Sequence, residues 1–170
     1  MKKLLFLIAT TALLCSCDKI TIDENDVADT YWREWSTYYE HIEDGKKVKI
    51  DTAKTSYEGF SNTLWHFKDN EELVGYITSN TPSRFYYSTP YQIDLKDKKI
   101  IANTYKGEAI VYKIRRFTDS ELIVEYTTTY ANYDHNGLVG LRFRKIGKPE
   151  DSYFSNFTTY EEWLNSIPNY

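Results

Sequence analysis

The sequence is constrained most by short apolar runs that recur at roughly ten-residue spacing and are separated by turn-forming residues. The runs cover residues 31–43, 47–51, 62–68, 73–79, 84–95, 99–105, 108–117, 121–131 and 138–146. Connections such as Asp44-Gly45 and Lys106-Gly107 have hairpin length, and no helical pattern alternates with the runs. The sequence therefore predicts an all-β, up-and-down antiparallel β-barrel of about 8 strands over residues 31–147.

Three consecutive runs carry apolar residues on one face and charged residues on the other. The apolar positions are Ile110, Tyr112 and Ile114, then Leu122, Val124 and Tyr126, then Val139, Leu141 and Phe143. The charged positions that alternate with them are Lys113, Arg115, Glu121, Glu125, Arg142 and Arg144. This alternation predicts strands that pack on one side and meet water on the other.

The C-terminal segment, residues 148–170, has a different pattern. Thr159 and Glu162 have the spacing of a capping box, in which each side chain accepts a hydrogen bond from a free backbone amide. We expect a short helix over residues 160–165 that ends before Pro168. Its Trp163 and Leu164 are expected to pack on the barrel wall.

The first residues have the features of a secretory signal. Lys2-Lys3 precede an apolar run over residues 4–14, which is too short for a membrane span of about 20 residues. The run ends in Leu14-Cys15-Ser16-Cys17, which resembles the lipobox of bacterial lipoproteins. We therefore expect residues 1–16 to be a signal peptide and Cys17 to be lipidated, which implies attachment to the outer membrane. An ordinary signal peptide with an incidental cysteine is the alternative.

Residues 17–30 are expected to form a flexible tether, because they are polar, acidic and without clear periodicity. The acidic residues resemble surface-export signals of lipoproteins in the Bacteroidota, or they are a plain solvated linker, so the membrane face stays undecided. Loss of Lys2 and Lys3 changes the formal charge from −4 to −6, which argues against nucleic-acid binding. With Cys15 removed and Cys17 lipidated, no disulfide is expected.

Several fragments resemble the lipocalin-like, calycin-type lipoproteins of the Bacteroidota. They are Trp32 and Trp35 in the first strand, the segment 64–69 before a turn, the segment 91–94, and the hairpin 112–126. Residues 29–32, Asp-Thr-Tyr-Trp, stand where true lipocalins have a Gly-x-Trp signature. The resemblance implies a calycin-like barrel and assigns no binding residue.

The sequence contains no standard catalytic or metal-binding motif, so we expect no enzyme activity, no cofactor and no metal site. His41, His66 and His135 lie on separate strands and a loop, without the spacing of a helical metal site. Asp51-Thr52-Ala53 resembles a short O-glycosylation motif of the Bacteroidota, which makes Thr52 a possible glycosylation site.

The 16 tyrosines, 8 phenylalanines and 4 tryptophans are the main functional signal. Candidate residues of a ligand cavity are Trp65, Phe67, Tyr91, Tyr112, Tyr126 and Phe143, with a wider set of Tyr86, Tyr87, Tyr105, Tyr130 and Tyr133. Apolar rings with hydroxyl groups suit a cavity, although cross-strand packing accounts equally well for most of them.

Two functions remain open at this point. The first is a lipid-anchored barrel of the cell envelope that binds a small apolar or amphipathic ligand. The second is a protein-interaction module, an accessory subunit or inhibitor of an envelope complex. A cavity of several hundred Å³ with a mouth favours the first, and a filled interior with an exposed aromatic patch favours the second.

Overall fold

The computed structural model describes residues 19–51, 62–78, 84–129 and 136–167. It confirms the predicted fold class, an antiparallel all-β barrel of the up-and-down type with a short C-terminal helix. The proposed signal peptide, the lipidation site Cys17 and the glycosylation candidate Thr52 lie outside the described residues. Tyr130, Tyr133 and His135 also lie outside them.

The described residues form one sheet of 12 strands. The strands are β1 (Lys19–Ile20), β2 (Thr30–Glu43), β3 (Lys46–Asp51), β4 (Asn62–Phe67), β5 (Glu72–Thr78), β6 (Arg84–Pro90), β7 (Gln92–Asp94), β8 (Lys99–Asn103), β9 (Ala109–Phe117), β10 (Glu121–Thr129), β11 (Asn136–Ile146) and β12 (Thr158–Thr159). The count exceeds the expected 8 partly because the run 84–95 is interrupted at Tyr91. The sequence has nine apolar runs rather than 8, and the short β1 and β12, which pair in parallel with β9 and β6, bring the total to 12.

The barrel wall follows the order β6-β5-β4-β2-β11-β10-β9-β8-β7, and its neighbouring strands are antiparallel. Within the described residues the ladder does not close, and β6 meets β8 through side chains. The backbone N–H of Asn103 donates to Thr89 Oγ1 at 3.2 Å. The ring of Tyr105, which follows β8, lies 5.7 Å from that of Phe85 on β6, so aromatic packing also joins the two edges of the sheet.

One end of the barrel is filled by an apolar core. Its largest fully buried side chains include Trp32, Phe67, Phe117, Phe143 and Leu122. Ile22 and Val27, on either side of a 3₁₀-helix over Glu24–Asp26, are also buried in this core. The expected tether over residues 17–30 therefore needs correction, because part of it packs. The side chains of Ile22 and Val27 join the core, and Ile20 packs against it, although polar residues flank them in the sequence.

The outer face of the sheet also differs from the expectation. Leu122, Val124 and Phe143 point inward as predicted, but Glu125 is buried on the opposite face. There it accepts a hydrogen bond from the Tyr38 hydroxyl and pairs with Arg115. Gly140 makes this possible, since a Cβ at that position would lie 2.0 Å from Tyr38 Cζ. We call Tyr38, Arg115, Glu125 and Gly140 the outer cluster.

Arg142 is a second charged side chain that the alternation wrongly placed in open water. Its guanidinium forms a bidentate pair with Asp51, at 2.8 and 3.0 Å, and also donates to Ser36 Oγ. The pair connects β11 to β3 across β2, so the β2–β3 hairpin, which is distant from β11 in sequence, holds this charge in place. Simple alternation along one strand cannot reveal such a partner.

The C-terminal segment contains two short helices, α1 (Asp151–Phe154) and α2 (Tyr160–Ser166). The Thr159–Glu162 capping box is present, and α2 ends one residue later than predicted. Trp163 stacks on Phe85 with a centroid distance of 4.7 Å. Leu164 is 45% exposed, so its predicted packing on the wall is wrong. A helix of seven residues turns one side to the barrel, and Tyr160 and Trp163 occupy that side.

Candidate ligand cavity

A cavity of about 200 Å³ lies beside the apolar core, toward the end of the barrel where β5 and β8 end. Its lining residues in the described chain are Glu34, Thr37, Tyr39, Thr63, Trp65, Ile77, Tyr87, Thr104, Tyr105, Ile110, Tyr112, Tyr126, Val139 and Leu141. Tyr105 is 38% exposed, so the cavity wall reaches the solvent. We call this space the barrel cavity.

A bulge in β2 brings two polar side chains to the barrel cavity. Phe143 pairs with Glu34 and Arg142 pairs with Ser36, so Trp35 has no partner in this ladder. Glu34 and Thr37 are three residues apart and would face opposite sides of a regular strand. The extra residue reverses the alternation, and both side chains line the cavity.

Glu34 is buried, with 8% of its surface exposed. The Thr37 hydroxyl donates a hydrogen bond to Oε1, and the backbone N–H of Thr63 donates to Oε2 at 3.3 Å. Burial raises the pKa of this carboxyl above its ordinary value, although the hydrogen bonds from Thr37 and Thr63 oppose the shift. The site thus holds a carboxyl group whose charged form lacks the stabilisation that water would provide.

The aromatic wall depends on a glycine in β5. A Cβ on Gly75 would lie 2.3 Å from Cε1 of Tyr87, so only glycine leaves room for this ring. The Trp65 indole donates a hydrogen bond to the Tyr87 hydroxyl, and burial raises the pKa of Tyr87 to about 12. Tyr112 lies edge-on to Trp65 at 5.1 Å and to Tyr126 at 5.4 Å. These four rings form one side of the barrel cavity, and the tyrosine hydroxyls are its polar groups.

The structure divides the predicted cavity residues into two groups. Trp65, Tyr112 and Tyr126 line the barrel cavity. Phe67 and Phe143 are fully buried in the apolar core, and Tyr91 packs edge-on against Phe67 at 5.0 Å. The latter three do not line the barrel cavity, because they lie at the filled end of the barrel.

Sequence reasoning anticipated Tyr87 and Tyr105 in its wider tyrosine set, but it missed Glu34. A usable signal existed, because Glu34 and Trp32 are two residues apart and share one face of β2. A carboxyl on the same face as a buried tryptophan indicates a polar site inside the barrel. Thr37 was also missed, because the bulge at Trp35 reverses the alternation that would have placed it on the outer face.

Larger grooves of about 540 and 740 Å³ lie outside the barrel near Tyr91. Their walls include exposed side chains such as Asn70, Glu71 and Gln92, so they are open to solvent. The barrel cavity differs in combining buried polar groups with aromatic rings, which is the usual character of a small-molecule site.

The described histidines serve other contacts. His66 stacks on Tyr31 at 4.0 Å and lies 3.0 Å from Asp29, and His41 lies 3.7 Å from Glu43. In the described residues no three His, Cys, Asp or Glu side chains come together as metal ligands would. No helix in the same ranges is long and apolar enough to cross a bilayer.

No protein-family model matches the sequence, and no curated protein is significantly similar to it. Among solved structures, apocrustacyanin C2 resembles the chain with 11% sequence identity and a TM-score of 0.42. The match covers 85% of this chain and 73% of that one. At this level the likeness carries no argument about function, which must come from the cavity itself.

Proposed function

We propose that this protein binds a small, partly apolar molecule in the barrel cavity while a lipid on Cys17 holds it at the bacterial outer membrane. The observation that carries the proposal is the wall of the cavity. It joins the rings of Trp65, Tyr87 and Tyr112 to the buried carboxyl of Glu34. Rings supply apolar contact area, and a few fixed polar groups supply orientation and specificity.

The volume limits the ligand. A space of about 200 Å³ corresponds to roughly seven water molecules at about 30 Å³ each. A whole sterol, bile acid or haem is far larger than this. The ligand is therefore a small molecule, or the end group of a larger one that enters from the side of Tyr105.

The alternative, a protein-interaction module, has less support. Exposed large apolar side chains in the described residues include Trp35 on β2, Val111 on β9 and Leu164 on α2. Trp35 is partly covered by Arg144, whose guanidinium carbon lies 4.5 Å from the ring centroid. Single exposed apolar residues on the strands are normal for a protein surface, and the pair of Leu164 and Ile167 at the end of α2 is too small to form a docking patch.

Thermal unfolding with a panel of small amines, alcohols, acids and aromatic compounds tests the binding function. A ligand at about 100 times its Kd stabilises the folded state by about 2.7 kcal/mol, which raises the Tm by several degrees. Leu141→Trp fills the barrel cavity and should abolish the shift. Val111→Trp, at an outward position that is 56% exposed, should retain it.

Two results would overturn the binding proposal. One is a panel in which no compound raises the Tm. The other is a stabilising compound that acts equally on Leu141→Trp, since its site would then lie elsewhere.

The proposed anchor has a separate test in cells fed a labelled fatty acid. Cys17→Ala should accumulate as an unlabelled precursor, because the thiol that accepts the lipid is gone. Cys15→Ser is the matched control, and it should be processed and labelled like the wild-type protein. Normal cleavage and labelling of Cys17→Ala would contradict the anchor.

A further inference from the structure

Glu34 is the only residue with a formal charge at neutral pH among the described residues that line the barrel cavity. In the part of the chain that the structure describes, Thr37 and Thr63 donate hydrogen bonds to its carboxyl, and both residues are neutral. The salt bridges of the described residues do not include Glu34. Among the described residues, the barrel cavity thus contains one carboxyl surrounded by aromatic rings and no cationic side chain beside it.

A buried carboxylate is costly unless an opposite charge compensates it. Two neutral hydrogen-bond donors compensate it only in part. A carboxylate offers about four acceptor positions, and the contacts from Thr37 and Thr63 leave some of them available. A positively charged ligand would supply both the missing charge and further donors.

The surrounding rings suit the same kind of ligand. Trp65 and five tyrosines line the cavity, namely Tyr39, Tyr87, Tyr105, Tyr112 and Tyr126. The electron-rich faces of tryptophan and tyrosine attract cations, most strongly where water is excluded. A negatively charged ligand would instead meet Glu34 at close range, so fatty acids and other carboxylates are disfavoured.

We propose that the barrel cavity selects a small organic cation, an amine or methylated ammonium, and that Glu34 is the group that pairs with it. This inference rests on the proposed binding function and names the class of its ligand. Its size matches the cavity, since a small ammonium with one or two short substituents fits within about 200 Å³.

The proposal carries a pH dependence. Burial raises the pKa of Glu34 in the empty protein, and bound cation would favour the ionised carboxylate. Affinity should therefore be greatest well above that pKa and fall as the pH drops through it. Burial raises the pKa of Tyr87 and Tyr112, which line the same cavity, so these two hydroxyls stay neutral over this range. A quaternary ammonium probe keeps its charge at every pH, so the dependence reports on the protein.

Calorimetric titration with choline and its uncharged carbon isostere, 3,3-dimethylbutan-1-ol, tests the inference on the full chain solubilised in detergent, because removal of residues 17–30 would take the buried Ile22 and Val27 out of the core. We expect choline to bind at least about tenfold more tightly than the alcohol, a difference of about 1.4 kcal/mol. Glu34→Gln should remove most of that preference and flatten the pH dependence. Glu40→Gln is the matched control, because Glu40 lies on the same strand and pairs with Lys47 on the outside.

Three other outcomes are possible, and each contradicts either the cation inference or the proposed binding function. If the alcohol binds as tightly as choline, or if only neutral or acidic panel compounds bind, the cation inference is wrong and the binding function stands. If Glu34→Gln keeps the preference for choline, Glu34 is not the pairing group and the inference is also wrong. If neither probe and no panel compound binds, the proposed function falls together with the inference.

Discussion

The two ends of the barrel interior are built from the same strands and have opposite characters. At one end Trp32 and Phe117 interlock edge-on at 5.4 Å, and both are fully buried. At the other end Glu34, Thr63 and Tyr112 surround a space of about 200 Å³. A single strand serves both, since β4 gives Phe67 to the core and Thr63 to the cavity. If the barrel cavity binds as proposed, stability and binding depend on different ends of the same strands.

Phe143→Ala and Tyr126→Ala should show the largest difference in the free energy of unfolding between the two ends of the barrel. Phe143 lies fully within the core, so its truncation should lower the free energy of unfolding by about 3–5 kcal/mol. Tyr126 borders the cavity, and its truncation should cost only about 1–2 kcal/mol. Urea denaturation measures both. Equal losses would mean that the cavity end is packed as tightly as the core.

Gly75→Ala tests how rigidly the cavity wall is shaped. The added methyl group would collide with Tyr87, and we expect a loss of about 1–3 kcal/mol. In a Tyr87→Ala background the same change should cost much less, since the collision is gone. Gly147→Ala, where no atom lies within 4 Å, is the control. An unchanged cost in the double variant would show that Tyr87 is not the obstacle.

The outer cluster is a polar region outside the barrel, and we expect it to contribute to stability and not to ligand binding. Glu125→Gln weakens the contacts with Tyr38 and Arg115, and the expected loss is about 1–2 kcal/mol. Glu121→Gln, whose partner Arg116 is exposed, should lose less than about 1 kcal/mol. Ligand binding should be unaffected by either substitution. A loss of binding in Glu125→Gln would connect the outer face to the cavity.

The smallest expected effect is a gain in stability, whereas the substitutions above cause losses. The raised pKa of Glu34 means that its contribution to stability is fully present below the ordinary carboxyl pKa. That contribution is lost as the pH rises through the folded-state pKa. Glu34→Gln should therefore become more stable relative to the wild-type protein between acidic and neutral pH. Urea denaturation across this range measures it. If the difference in the free energy of unfolding between the variant and the wild-type protein does not change with pH, the raised pKa of Glu34 is contradicted.

The sequence predicted those features that depend on local patterns. Alternation identified the inward positions of β9, β10 and β11, and Thr159 with Glu162 identified the start of α2. The misses come from non-local causes. The bulge at Trp35 turns Thr37 inward, and Gly140 admits Tyr38 beside Glu125. Neither the bulge nor the cross-strand contact follows from the order of residues within one strand.

The central claim, that one end of the barrel binds and the other only stabilises, is tested most directly by amide NMR of the labelled protein titrated with its best ligand. The account predicts shifts concentrated at cavity residues such as Trp65, Tyr126 and Val139. Signals of Phe67, Phe117 and Leu122 in the core should stay in place. Shifts confined to the outer face, or spread equally over both ends, would contradict the account.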